Sequence, residues 1–184
     1  MNSLSLGSVG PSFGPPAPAV EFSVSPGGSS DFRTIGEALQ AAETRLAAEA
    51  LRSINTREPR RILITLGSGI YREKLAIRLP YVELRGAGTG RTRIVWDDCA
   101  TRLLNDGEPM GTFNSYTVYV RAEGVRLRGL SIENSAGDGR LVGPAVALYA
   151  DSDLLSVEDC EISSRQDSLC TCLLYTSPSP RDRG

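Results

Sequence analysis

The sequence predicts an all-β solenoid, a parallel β-helix, with one α-helix capping its first turn. Three observations support this fold class: a single helical period near the N-terminus, a series of short strands with no further helical period after Pro59, and an internal repeat of strand pairs. Strand pairs that repeat every ~20 to 30 residues are typical of solenoids, in which each turn buries its apolar side chains against its neighbours.

The capping helix is predicted over residues 35–53, after a short strand at residues 22–24. Thr34 and Glu37 have the spacing of a capping box, in which each side chain accepts a hydrogen bond from the backbone of the other residue. Apolar residues then follow at helical spacing: Ile35, Ala38, Leu39, Ala42, Leu46 and Ala50. Because an uncovered terminal turn exposes apolar side chains and unpaired strand edges, we expect this helix to cover the start of the solenoid.

Short strands separated by turn residues are predicted after Pro59, at residues 62–66, 74–78, 81–86 and 92–97. The segment Val125-x-Leu127-x-Gly129-Leu130-x-Ile132 then recurs further along the chain as Leu155-x-Val157-x-Asp159-Cys160-x-Ile162. Val118-x-Val120 and Val146-x-Leu148 form a second pair with a slightly shorter offset, and Val82-x-Leu84-x-Gly86 is a weaker earlier copy. A β-sandwich would also give short strands, but it would not require this register between neighbours.

Stacking of the repeats predicts which side chains meet inside the solenoid. Val125 should lie on Leu155 and Leu130 on Cys160, so that Cys160 is a buried apolar residue. Two other motifs are interpreted as plain turns. Asp97 and Asp98 follow Trp96 at the end of a predicted strand, and we interpret them as a solvated turn and not as a metal site. Gly86-x-Gly88-x-Gly90 opens no helix, so we reject it as a phosphate-binding loop.

Composition excludes several classes of function. The chain has 184 residues, 40% of them hydrophobic and 23% charged, with a net charge of −2, which favours one soluble domain without a nucleic-acid footprint. No apolar run is long enough to span a bilayer. The absence of histidine excludes a Ser-His-Asp triad, a Cys-His pair and a His-based zinc site within this chain. Carboxylates, Lys, Tyr or a bound metal would have to perform proton transfer.

The domain organisation is predicted as a leader, one domain and a tail. Residues 1–20 are rich in Ser, Gly and Pro and lack the basic and apolar regions of a signal peptide. The solenoid domain is expected over residues 21–169. Residues 170–184 are interpreted as a non-native tail, in which Cys172 to Asp182 resembles the in-frame translation of a sequencing-library adapter.

Ordered motifs across residues 22–169 resemble the pectinesterase (pectin methylesterase) family. They are Asp31-Phe32-x-Thr34-Ile35, Gly69-x-Tyr71-x-Glu73, Gly111-Thr112-Phe113-Asn114-Ser115-Tyr116-Thr117-Val118, Ser131-Ile132-Glu133-Asn134-Ser135-Ala136-Gly137, Ala145-Val146-Ala147-Leu148 and Gln166-Asp167-Ser168-Leu169. Each motif alone is weak, but six in the family's order make the resemblance specific.

The resemblance implies a right-handed parallel β-helix that hydrolyses methyl esters of polygalacturonate with two Asp residues and without a metal or cofactor. Asp167 matches the family's general acid and base, Gln166 an oxyanion-stabilising amide, and Thr112 a substrate contact, although Thr112 could equally be an ordinary strand residue. The implied partner is pectin, or homogalacturonan, and not a nucleic acid or a membrane. A monomer is expected when the protein is complete. Family members are often secreted, but with no recognisable signal peptide the compartment stays open and includes the cytoplasm.

Two departures from the family pattern bear on activity. Pro144 occupies the position of a catalytic Gln before Ala-Val-Ala-Leu, and it has neither a side-chain donor nor a backbone N–H. The family's nucleophile motif Asp-Phe-Ile-Phe-Gly and its substrate-binding Gly-Arg-Pro-Trp motif do not occur in the sequence. We therefore expect a solenoid truncated after its first turns, inactive as given and poorly soluble.

Alternative functions stay open on the same fold. A pectate lyase would be expected to show a calcium-binding group of carboxylates with a basic residue. A polygalacturonase would show separated Asp residues on successive turns, and neither pattern is found. A non-catalytic carbohydrate-binding solenoid is the third possibility, and Pro144 is the observation that favours it.

Overall fold

A computed structural model describes residues 20–50 and 60–171 of the chain. Residues 1–19 of the predicted leader, the predicted helix end at residues 51–53 and residues 172–184 of the predicted tail lie outside the described residues. The elements are β1 Val20–Val24, α1 Ile35–Ala50, β2 Ile62–Leu66, β3 Gly69–Tyr71, β4 Leu75–Ile77, β5 Val82–Arg85, β6 Thr92–Trp96, β7 Val118–Val120, β8 Arg126–Arg128, β9 Ser131–Asn134, α2 Gly139–Val142, β10 Leu148–Ala150, β11 Ser156–Glu158, β12 Glu161–Ser163 and β13 Leu169–Thr171. The other residues of the predicted leader and tail belong to strands, Val20 to β1 and Cys170 and Thr171 to β13.

The strands form three sheets in which every pairing between neighbours is parallel. Sheet A has the order β1-β2-β5-β8-β11, sheet B the order β12-β9-β6-β3, and sheet C the order β13-β10-β7-β4. From β2 onward the chain visits A, then B, then C, and each strand pairs with its counterpart in the next turn. This arrangement confirms the predicted parallel β-helix.

The core consists of columns of apolar side chains that point into the coil. Ile64, Leu84 and Leu127 occupy matching positions in three successive strands of sheet A, and all three are fully buried. Burying each such side chain stabilises the fold by about 1.5–3 kcal/mol. In sheet C, Leu148 is fully buried, whereas Leu169 on the last described strand is 54% exposed because no described strand covers it.

The strand register confirms one predicted repeat and corrects the other. Leu127 pairs with Val157 and Ile132 with Ile162, both with the predicted offset. Val118 pairs with Leu148, so the predicted match of Val118 to Val146 is wrong. A shift of two residues keeps the same face of a strand toward the core, and both Val146 and Leu148 are buried. Alternation alone therefore cannot distinguish the two registers.

Two local features of the solenoid depart from the sequence predictions, and a third agrees with them. Cys160 is partly buried and packs against the core, but it is not enclosed. The short helix α2 was not predicted, and its four residues are too few to show a helical period. The Gly-rich segment after β5 is a turn as predicted, and Gly86 is required there because a Cβ atom would lie 2.3 Å from the Gly129 carbonyl oxygen.

Helix α1 begins at the predicted capping box and covers the first turn. The Glu37 amide donates to Thr34 Oγ1 at 3.2 Å, and the Thr34 amide donates to Glu37 Oε2 at 3.2 Å. Ile35 and Ala38 are fully buried on the face of the helix that packs against β1, β2 and β4. The helix therefore caps the solenoid as expected.

Glu73 fixes the start of α1 to the coil. Its Oε1 accepts a hydrogen bond from the Ile35 amide and its Oε2 accepts one from the Gly36 amide, both at 2.9 Å. These amides belong to the first turn of a helix, where they have no partner within the helix and where the helix dipole favours a negative charge. One carboxylate from the segment before β4 thus satisfies two such donors.

Replacing Glu73 by Gln is expected to destabilise the protein, because an amide supplies one neutral acceptor where the carboxylate supplies two charged ones. The expected loss in the free energy of unfolding is about 1–2 kcal/mol, measured by urea titration. Glu43→Gln is the control, since Glu43 lies exposed on the same helix. Equal losses in the two variants would contradict the capping role of Glu73.

Candidate active site

The predicted site residues lie on segments that meet at the corner where the chain passes from sheet B to sheet C. Three segments form this corner: residues 97–117, which we call the excursion, the segment between β9 and β10, and the turn between β12 and β13. The Ala100 amide donates to the Pro144 carbonyl at 2.8 Å, and the Ala145 amide donates to the Gln166 carbonyl at 3.4 Å. The structure therefore brings Gln166 beside the segment between α2 and β10, which carries Pro144.

Thr112 is connected to the Pro144 segment through hydrogen bonds of intermediate residues. It lies in a 3-10 turn, Thr112–Asn114, so the alternative in which Thr112 is an ordinary strand residue is wrong. Its carbonyl accepts from Ser115 Oγ at 2.7 Å, and the same hydroxyl oxygen accepts from the Val146 amide at 3.2 Å. Thr112 is thus placed at the same corner, although its link to the Pro144 segment is indirect.

Gln166 and Asp167 form an exposed, internally bonded turn. Ser164 Oγ donates to the Gln166 carbonyl at 2.7 Å, and the Ser164 amide donates to Ser168 Oγ at 3.0 Å. Asp167 has a φ of 61°, in the left-handed region that most residues with a side chain avoid. Such conformations cost of order 1 kcal/mol and cluster at functional sites. The turn therefore holds the Asp167 carboxylate at the surface in a constrained backbone.

Helix α2 packs against the Gln166 side chain. A Cβ atom at Gly139 would lie 2.4 Å from Gln166 Oε1 and 2.8 Å from Gln166 Cβ, so a larger residue at Gly139 would displace Gln166. Asp138 caps the helix by accepting from the Arg140 amide at 3.0 Å. The absence of a side chain at Gly139 thus leaves room for the Gln166 amide.

Pro144 brings no hydrogen-bond donor to the corner. Its carbonyl accepts from Ala100, and the residue is partly buried beside the excursion. Pro144 therefore helps to hold the excursion in place through its carbonyl, but it supplies no oxyanion donor, as the sequence indicated.

Four aromatic rings form a surface at the same corner, and the sequence reasoning missed them. The Tyr119 and Tyr149 rings stack at 4.8 Å with planes 12° apart, because the two residues are paired in register on adjacent strands. The ring centres of Phe113 and Tyr149 are 5.7 Å apart, and those of Tyr116 and Tyr119 are 5.2 Å apart. We call these four residues the aromatic ladder. The signal that could have found it is the offset of the longer repeat, from Val125 to Leu155, which also matches Tyr119 to Tyr149.

The buried side chain of Asn134 connects the segments of the corner. Its Nδ2 lies within hydrogen-bond distance of the carbonyls of Asp98 at 2.9 Å, Ser115 at 2.8 Å and Val146 at 3.1 Å, which share its two N–H groups. Its Oδ1 accepts from the Ala136 amide at 3.0 Å, and the side chain is almost completely buried. One side-chain amide therefore connects four backbone groups that have little access to water.

Asn134→Ala is expected to destabilise the protein by about 2–4 kcal/mol, because it leaves buried backbone carbonyls without donors and creates a small cavity. Chemical denaturation followed by circular dichroism measures the loss. Asn105→Ala, at an exposed position within the excursion, is the matched control and should change stability by less than about 0.5 kcal/mol. A loss at Asn134 no larger than at Asn105 would refute the joining role.

Asp98 is a buried charge, so the predicted solvated turn is wrong at this residue. Asp98 is 4% exposed, and its carboxylate accepts from Lys74 Nζ at 2.5 Å and from the Arg102 guanidinium. Burial by itself would raise the pKa of Asp98, but the Lys74 hydrogen bond and the two nearby cations lower the pKa below its usual value. Asp97 is exposed, as predicted.

Two structural findings bear on other classes of function. Within residues 20–50 and 60–171, no group of three or more Cys, Asp or Glu side chains could hold a metal ion. In that same part of the chain, no helix has the length and apolar character needed to cross a membrane.

Comparisons with known proteins agree with the fold and the motifs. A sequence profile of the pectinesterase family matches residues 21–175. The chain is 35% identical over 142 residues to probable pectinesterase/pectinesterase inhibitor 17 of Arabidopsis thaliana, covering 77% of this chain and 24% of that protein. It is 32% identical to the pectinesterase of Daucus carota, covering 77% of this chain and 39% of that protein. The chain thus spans well under half of these relatives.

Solved structures show the same architecture. The pectin methylesterase from carrot superposes with a TM-score of 0.61 at 28% identity, over 90% of this chain and 44% of that chain. A pectin methylesterase in complex with a hexasaccharide superposes with a TM-score of 0.69 at 22% identity, over 85% of this chain and 46% of that chain, which shows the shared fold. The chain is a parallel β-helix of the kind found in these pectin methylesterases. It belongs to the pectinesterase family.

Proposed function

We propose that the complete protein hydrolyses the methyl esters of polygalacturonate and releases methanol, with Asp167 as general acid and then general base. The observation that carries the proposal is the Gln166-Asp167 turn, which lies beside the Pro144 segment in a chain that matches the pectinesterase family. An exposed carboxylate with an adjacent amide provides a proton donor and an oxyanion donor on one turn.

The proposed reaction uses two carboxylates. One attacks the ester carbonyl carbon, and Asp167 gives its proton to the departing methoxide as the carbon–oxygen bond breaks. Asp167 then takes a proton from the water whose oxygen attacks the acyl carbon, which releases the product carboxyl group, frees the attacking carboxylate and returns Asp167 to its protonated form. Two nearby carboxylates cannot both ionise freely, so one is kept protonated as the acid. The attacking carboxylate is expected in the Asp-Phe-Ile-Phe-Gly motif, which does not occur in the present sequence.

The aromatic ladder supports a sugar polymer as the substrate. Aromatic rings offer broad apolar faces beside a few polar groups, which suits ligands that present both C–H faces and hydroxyls. Tyr119 also donates its hydroxyl to Asp151 at 3.0 Å, and burial together with this hydrogen bond raises the pKa of Tyr119, so its phenol stays neutral. We assign the ladder and Thr112 to substrate binding.

The test is methanol release by the complete gene product from methyl-esterified polygalacturonate. Fully de-esterified polygalacturonate is the negative control. Methanol release with an unchanged chain length supports the proposal. Calcium-dependent formation of unsaturated products would instead identify a lyase, and new reducing ends without methanol would identify a polygalacturonase.

Pro144 favours a second candidate function, a non-catalytic carbohydrate-binding solenoid. An aromatic surface can bind a polysaccharide without an oxyanion donor, whereas ester hydrolysis is slowed by the loss of one. Calorimetry of the complete protein with the same polymer distinguishes the two functions. Binding without methanol release would establish the second.

A further inference from the structure

Lys74 connects the excursion to the preceding turn of the solenoid at four points, one of which is the contact of its Nζ with Met110 Sδ at 3.9 Å. Its ammonium donates to Asp98 Oδ2 at 2.5 Å and to the Asn114 carbonyl at 2.6 Å, and it lies 4.8 Å from the centre of the Tyr116 ring. Asp98 opens the excursion, whereas Asn114 and Tyr116 close it. One side chain just before β4 therefore contacts both ends of the excursion.

The excursion needs such anchors because most of it lies outside the strand ladder. Within it, the Gly111 amide donates to the Ala100 carbonyl at 2.9 Å, a bond that closes the loop on itself. Ala100 and Asn134 connect it to later turns. Lys74 supplies a side-chain connection to the earlier turn, and it bonds the last residue of the 3-10 turn that carries Thr112.

We propose that Lys74 is a positioning residue, which fixes the 3-10 turn so that Thr112 and Phe113, the ladder residue on that turn, face the bound polymer. The part of this inference that concerns substrate rests on the proposed function. The bond to the Asn114 carbonyl is charge-assisted, which makes it stronger than a neutral hydrogen bond. The ring contact with Tyr116 holds the same ammonium from the side of the ladder.

The competing explanation is that Lys74 only neutralises the buried Asp98. Arg102 provides a matched control, because its guanidinium bonds the same carboxylate from within the excursion. Lys74→Met and Arg102→Met each remove one of the two cations bound to Asp98. Only Lys74→Met also removes the contacts with Asn114 and Tyr116. Lys74→Arg keeps a cation with donors and is the conservative variant.

The first experiment uses the 184-residue chain and measures amide hydrogen exchange, together with the fluorescence of Trp96, the single tryptophan. Lys74→Met is expected to speed exchange of the Ser115 and Gly111 amides about tenfold and to increase quenching of Trp96. Arg102→Met should leave the Ser115 exchange within about twofold of the unsubstituted chain, and Lys74→Arg should restore most of the protection. Equal effects of the two Met variants would overturn the proposal.

The second experiment measures methanol release by the complete gene product. Lys74→Met should raise KM about tenfold with kcat changed less than about threefold, because it misplaces a binding turn and not the reacting carboxylate. Arg102→Met should change KM by less than about threefold. If the unsubstituted protein releases no methanol, the proposed function fails while the exchange result still decides the positioning role. Faster exchange with an unchanged KM would overturn the assignment to substrate.

Discussion

Asp167→Asn is expected to lower methanol release by the complete protein by a factor of about 10² to 10⁴, the usual contribution of a positioned general acid and base. Asparagine has nearly the same shape and tolerates the left-handed backbone observed at Asp167, where φ is 61°. The fold should therefore be preserved while the transferable proton is lost. Initial rates at saturating methyl-esterified polymer measure the effect.

Asp159→Asn is the matched control for that experiment. Asp159 is also exposed, lies on the same last turn and has a φ of 50°, but it is at the corner between sheets A and B. The same substitution should leave the rate within about twofold. Full activity of Asp167→Asn would remove Asp167 from the mechanism, and equal losses in both variants would point to the backbone conformation as the cause.

Pro144→Gln is expected to raise the rate of ester hydrolysis by the complete protein, by up to about 10² to 10³, because one oxyanion donor contributes that much in other acyl-transfer enzymes. The carbonyl at this position bonds the Ala100 amide, and any residue can keep that contact. The gain should appear in kcat more than in KM, since the oxyanion forms only in the transition state.

Pro144→Ala separates the added amide from the removal of the proline ring. It restores the backbone N–H and the backbone freedom but supplies no side-chain donor. We expect the rate of Pro144→Ala to stay within about threefold of that of the unsubstituted protein. A gain in Pro144→Ala as large as that in Pro144→Gln would contradict an oxyanion role for this position.

The fold was largely predictable because its signals are local and repeated. The spacing of Leu127 and Val157 indicated the register of sheet A, and the box of Thr34 and Glu37 indicated the start of α1. The register of Val118 was missed because a two-residue shift preserves the buried face. Sequence alternation specifies which face is buried, but it does not specify which of two equivalent partners is chosen.

The candidate site was only partly predictable because its contacts join residues far apart in the sequence. The sequence around Asp98 is typical of a solvated turn, and only the folded chain brings Lys74, from the preceding turn of the solenoid, beside it. Gln166 and Asp167 were found through a motif, whereas the stacking of Tyr119 on Tyr149 follows from a register that only the folded chain establishes. Chemistry carried by a short motif can be inferred from sequence, but a surface assembled from several turns cannot.

The unequal lengths of the solenoid turns have a consequence for the order of folding. Ile62 pairs with Val82 across a short turn, whereas Glu83 pairs with Arg126 across a much longer one, because the excursion lies between them. The longer loop has roughly twice the length of the shorter one, and each doubling costs about 0.6 kcal/mol more in chain entropy. We therefore expect the turn beneath the helical cap to form first and the long loop to close later. The corner that carries the candidate site would then be among the last parts of the molecule to become ordered.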